Sequence, residues 1–171
     1  MIELKIKVYE SFVKGTQVQS EPFPIDSNIL KGKVHPKSEP AVEEYTFLKG
    51  ILNNPRKIDL LYRASEHNFS AASFHQKCDN IPNTLVLVRT EFGKTIGGFT
   101  PYEWNTSGNW VNDSGRKSFL FSLDEKEKYV PQSGDYLIGC NSSYGPTFGG
   151  GHDLCICDAC NTSNSSYASF P

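Results

Sequence analysis

The chain lacks the marks by which the commoner biochemical classes declare themselves. Its N-terminus, MIELKIKVYESF, has no unbroken apolar run, which argues against a secretory signal or a membrane span there. Excess charge is missing too. The net charge is −2, and Lys and Arg are scattered, so no positive field would gather nucleic acid or anionic membrane. There is no G-x-x-x-x-G-K-[ST] phosphate loop and no serine in a G-x-S-x-G, and His35, His67, His75 and His152 lack an evident nucleophile partner. Glu66, Glu91 and Glu103 lie in loop-like contexts, but nothing in the sequence pairs them for acid–base work. Cysteine is sparse at 5, an odd number for a disulfide framework. With no entry signal in view, these residues read as free thiols in a cytosolic protein unless a metal holds them. By the same logic the Asn-x-Ser/Thr sites at Asn68, Asn105, Asn112, Asn141, Asn161 and Asn164 reflect Asn/Ser-rich loops, not glycan acceptors.

What is present is a chain of 171 residues, enough for one domain with a core of its own. Its clearest stretch runs from Ile58 to Phe99. Ser70 is a helix N-cap for SAASFHQKC, with Phe69 able to staple onto Phe74. Ala71, Phe74 and Cys78 form the buried face of that helix, with Cys78 inert, while His75, Gln76 and Lys77 can meet water. After Pro82, TLVLVRT places Leu85 and Leu87 on one face and Val86 and Val88 on the other, the pattern of a central strand. Glu91 to Lys94 then turns the chain into TIGGF as the returning arm of a hairpin.

Elsewhere, Ile2, Leu4, Ile6 and Val8 alternate with Glu3, Lys5 and Lys7, a strand whose partner lies in this chain or in another protein. Residues 14–37 read as a linker with a short strand near Ile29 and Leu30. Pro40 suits the first position of a helix striped by Val42, Tyr45, Leu48 and Leu52 and broken near Gly50. For Ile58 to Tyr62, periodicity alone does not decide between helix and strand. The loop PYEWNTSGNWVNDSGR carries Tyr102, Trp104 and Trp110, which either anchor it to its own domain or form a carbohydrate or peptide platform. SFLFSL is a second strand apolar on both faces, DEKEKY a solvated turn, and GDYLIGC another short strand.

Chemistry can be argued from residue types only in TFGGGHDLCICDAC. His152, Cys155, Cys157 and Cys160 offer four zinc-compatible ligands, and an extended strand would turn Cys155 and Cys157 to one face, opposite Leu154 and Ile156. The plainer alternative is a strand with Leu154 and Ile156 in the core and small cysteines filling the other face as weak hydrophobes. Gly149, Gly150 and Gly151 precede a strand, not a helix, so they suit a bulge or a close backbone approach and not a phosphate loop.

Five motifs, LLYRAS, F-S-x-x-x-F-H-x-x-C-D, TLVLVRTEFGKTIGGFT, FLFSL and FGGGHDL, stand in the order found in the TLDc domain family, which the chain resembles from about Ser27 to Tyr167. The resemblance implies a β-sandwich of two antiparallel sheets flanked by short helices, without an assigned catalytic mechanism. It also implies links to oxidative-stress resistance and to the vacuolar proton-pumping ATPase. It favours an extended or turn-like segment for Ile58 to Tyr62, a strand opening the domain near Ile29, and a plain strand over a zinc centre after the glycines. TLDc domains close with a further apolar strand, whereas CNTSNSSYASFP is Asn/Ser-rich loop chemistry. The expected organisation is a strand and linker over residues 1–26 and a TLDc-like domain over residues 27–171 that lacks its last strand. The expected function is non-catalytic protein interaction, with no cofactor, no nucleic acid, no membrane insertion and vacuolar ATPase subunits as partners. A redox or zinc-dependent activity centred on His152, Cys155, Cys157 and Cys160 is the alternative.

Overall fold

A strand with leucines on one face and valines on the other needs an apolar layer on each side, and the architecture follows from that need. The computed structural model describes residues 3–9, 40–53, 55, 58–90 and 94–169. The larger of two antiparallel sheets runs β2-β1-β3-β4-β6-β7, with β1 Glu3–Tyr9, β2 Ile58–Arg63, β3 Thr84–Arg89, β4 Thr95–Thr100, β6 Phe119–Ser122 and β7 Glu127–Tyr129. The second runs β11-β10-β9-β8-β5, with β5 Trp110–Val111, β8 Ile138–Gly139, β9 Tyr144–Phe148, β10 Leu154–Cys157 and β11 Tyr167–Ala168. The helices are α1, Pro40–Ile51, and α2, Ala71–Cys78.

Burial divides by the parity of β3. Val86 and Val88 join Leu120, Ile138, Phe148, Leu154 and Ile156 in the core between the sheets, to which α2 adds Phe74 and Cys78. Leu85 and Leu87 face the other way and join Phe119, Phe121, Leu123 and Leu48 of α1. The sandwich therefore carries α1 as an outer cover on its larger sheet. Ser70 caps α2 as expected, its side chain accepting the Ser73 N–H, and Cys78 is fully buried, its thiol pushed up to about 12 chiefly by burial.

Two elements settle what the sequence left open, and others differ from expectation. The β1 strand finds both partners in this chain, lying between β2 and β3. Ile58–Arg63 is a full strand. Glu127–Tyr129, within the segment expected to be a turn, is the edge strand β7; exposed charged residues keep such an edge wet, so no apolar alternation marks it. In the Asn/Ser-rich end Tyr167 and Ala168 form the short strand β11 against β10; both are exposed and held by backbone bonds, leaving no periodic signal. The division near residue 26, the strand near Ile29 and the turn residues 91–93 lie outside the described residues.

His75 was expected to meet water, yet it is buried. Its Nδ1 lies 2.7 Å from Asp79 Oδ1, and its Nε2 lies 3.0 Å from the Asn141 carbonyl and 2.9 Å from that of Tyr144. The ring pins α2 to the β8–β9 connection, which covers the helix on a side that sequence spacing left polar. His75→Leu would leave a carboxylate and two carbonyls without their donor, at a cost of about 2–3 kcal/mol. Urea unfolding should show a lowered midpoint for His75→Leu and an unchanged one for the exposed Gln76→Leu.

Candidate functional site

The outer face of the second sheet, away from the core, carries a row of residues in direct cross-strand register. Trp110 pairs with Gly139, Gly139 with Thr147, Thr147 with Cys155, and Cys155 with Tyr167. Leu154 and Ile156 face the core, so Cys155 and Cys157 share the outer face, the arrangement that strand periodicity predicts. Cys155 is buried, whereas Cys157 is partly exposed and donates its S–H to the Ser165 carbonyl at 2.9 Å. Burial foremost, and then the neighbouring Cys155 thiol within hydrogen-bonding reach, push the Cys157 thiol up to about 11.

The other two residues of the predicted set turn elsewhere. Cys160 lies in the inter-sheet core with Tyr62, and burial raises its thiol. His152, at φ 60° after the Gly149 turn, stacks on Trp110 with ring centroids 5.9 Å apart and lies 6.1 Å from the Tyr144 ring. Among the described residues, no three His, Cys, Asp or Glu side chains converge as a metal site would require. Gly149 to His152 is the tight hairpin between β9 and β10, closed by the His152 N–H on the Gly149 carbonyl at 2.8 Å. Of the three glutamates, Glu66 pairs with Arg63 at 3.1 Å, Glu103 is exposed, and Glu91 lies outside the described residues.

The aromatic loop anchors to its own domain. Trp104 is fully buried, its Nε1–H donating to Thr84 Oγ1 at 2.8 Å, with Phe74 and Phe148 edge-on at 5.7 and 5.4 Å. Trp110 lies over Gly139, where an added Cβ would stand 3.1 Å from the indole, and His152 stacks on it, so neither indole is a free sugar platform. Tyr102 donates to Asp113, whose carboxylate is disfavoured by burial but held below its ordinary range by the N–H groups of Lys117 and Gly115 and by the Tyr102 hydroxyl.

An open groove of about 700 Å³ lies where the two sheets part. Phe119 and Leu120 of β6 and Lys128 and Tyr129 of β7 form one wall; Tyr136, Leu137 and Phe148 form the other. Val130 and Tyr136 at its rim are among the large apolar side chains left exposed, at 53% and 55%. The backbone of Tyr136 is left-handed, with φ 54°, and its N–H is held by Asn112 Oδ1 at 2.8 Å. The ring stands edge-on to Trp110 at 6.1 Å. Sequence reasoning had placed Tyr136 inside a strand; only its unusual backbone, set by contacts 24 residues away, turns it outward.

Comparison with known proteins bears on what this surface serves. The profile of the TLDc domain matches residues 41–170, well over half of the chain. The chain belongs to the TLDc domain family. No curated protein and no solved structure matches it. In this TLDc domain the five motifs that carried the resemblance fall on structural positions: β2, the capped α2, the β3–β4 hairpin, β6 and the β9–β10 hairpin. The matched segment begins at α1 and takes in β11, so the groove and the cysteine strand both lie within it.

Proposed function

We propose that this TLDc domain is a non-catalytic, cytosolic protein-interaction module serving oxidative-stress resistance, with subunits of the vacuolar proton-pumping ATPase as its partners. The observation that carries this reading is Tyr136, an exposed aromatic held in left-handed backbone at the rim of the inter-sheet groove. A non-glycine residue in that conformation costs about 1–3 kcal/mol and persists only where its surroundings hold it, and such strain gathers at binding surfaces. Tyrosine supplies a large contact area at low entropic cost, the profile of an interface hot spot. The histidine geometry supports a binding role: the His67 ring lies 2.7 Å from the Arg63 carbonyl and stacks on Tyr62, while His75 and His152 are held by the contacts described above. Near-neutral charge argues against a nucleic-acid partner, and among the described residues no helix is long and apolar enough to cross a membrane.

The test is a binding titration of the purified chain against purified peripheral subunits of the proton pump. Saturable binding weakened roughly tenfold or more by Tyr136→Ala with Val130→Ser is expected, the scale of one interface hot spot. Absence of binding by the unaltered chain would overturn the partner assignment. Binding unchanged in the double variant would remove the groove from the interface.

A further inference from the structure

Two thiols on the outer face of β10 join neither the inter-sheet cluster nor the groove. We propose that Cys155 and Cys157 form a two-coordinate site for a soft monovalent d10 cation of the Cu(I) type. This goes beyond the interaction reading and does not depend on it.

Strand geometry sets the pair: residues two apart project to one face, the ladder is irregular between Cys155 and Cys157, and Thr147 Oγ1 and the Ser165 carbonyl mark where the two sulfurs lie on that face. Ligand number then selects the ion. Zinc takes four ligands, at least three of them from protein in most sites, and no third His, Cys, Asp or Glu joins these two among the described residues. Thiolates favour soft ions, and Cu(I) is satisfied by two sulfurs in a linear arrangement.

A hydroxyl group stands beside each sulfur. Thr147 Oγ1 lies 3.5 Å from Cys155 Sγ, with the Gly145 carbonyl as its other acceptor at 3.3 Å. Ser166 Oγ accepts the Cys157 N–H at 3.1 Å, which leaves its own hydrogen for the Cys157 sulfur. Two thiolates around one monovalent cation carry a net negative charge, and hydroxyl donors placed there stabilise it. Entry is through Cys157, the partly exposed member. Its S–H bond to the Ser165 carbonyl breaks, both thiols release their protons to solvent, and two Cu–S bonds form with no change in oxidation state.

The experiment is anaerobic competition of the full chain against a chromophoric Cu(I) chelator, with Zn(II) as the contrasting ion. One equivalent of Cu(I) should be drawn from the chelator, with a thiolate-to-copper absorption in the ultraviolet, and Zn(II) should not displace it. Cys157→Ser, which can keep the bond to Ser165 and so the fold, should abolish the uptake. Thr147→Val should weaken affinity roughly tenfold at unchanged stoichiometry. No uptake beyond that of the Cys155→Ser, Cys157→Ser double variant would overturn the proposal. So would uptake that persists in Cys157→Ser, and unfolding curves for each variant separate loss of the site from loss of the fold.

Discussion

Gly97→Ala is expected to destabilise the domain by about 3 kcal/mol or more, enough to leave a marginal domain largely unfolded. Gly97 sits in β4 between β3 and β6, where an added Cβ would stand 2.6 Å from the Phe121 ring and closer still to the Val86 carbonyl oxygen. A ring can rotate away, but a carbonyl in a paired central strand can move only if the ladder moves with it. Gly98→Ala meets side chains only, Phe148 at 2.6 Å and Leu120 at 3.0 Å, and should cost less, about 1–3 kcal/mol of overpacking. Gly50 in α1 provides the opposite case: nothing lies within 4 Å of its added Cβ, so alanine there should stabilise by about 0.5–1 kcal/mol. Urea unfolding of the three variants measures the ranking. A Gly97→Ala midpoint equal to the unaltered protein's would mean that β4 does not lie between β3 and β6 as described.

Trp104→Ala should cost about 3–5 kcal/mol, the scale of a large aromatic removed from a core that cannot close over it. Its indole touches helix α2 through Phe74, the second sheet through Phe148 and the larger sheet through Thr84, so one side chain joins three elements. Trp104→Phe separates the contributions. The ring contacts largely persist, but the buried Thr84 hydroxyl loses its donor, at a cost of about 1–3 kcal/mol. Thermal unfolding followed by circular dichroism should place Trp104→Phe between the unaltered protein and Trp104→Ala. Equal stabilities for Trp104→Phe and the unaltered protein would show that the hydrogen bond contributes nothing net. Because the chain has only 2 tryptophans, Trp110→Phe leaves Trp104 as the sole indole, and its fluorescence should report a dry environment that vanishes on unfolding.

The contrast between the two indoles marks where sequence reading stops. Trp104 and Trp110 lie in the same polar loop and carry the same local signal, yet one is at the centre of the core and the other on the outer face. What separates them is which strand of the folded sheet each residue meets, a long-range fact with no local trace. His75 makes the same point from the polar side. Helical spacing assigned it to water, and only the approach of the Asn141 and Tyr144 carbonyls, 66 and 69 residues away, turns that face into an interior.

Local physics was sufficient for much of this protein. The capped α2, the central β3 apolar on both faces, the paired outward cysteines of β10 and the order of motifs that marks a TLDc domain all rest on interactions within a few residues, so the sequence by itself determined them. The tertiary structure decided the rest. It placed β1 between β2 and β3, drew strands β7 and β11 from segments with no apolar period, sent Cys160 and His152 away from Cys155 and Cys157, and opened the groove beneath Tyr136. Edge strands are held by backbone hydrogen bonds that any residue but proline can donate, and a cluster of side chains depends on which distant strands become neighbours. Neither property is written in the spacing of residues along the chain.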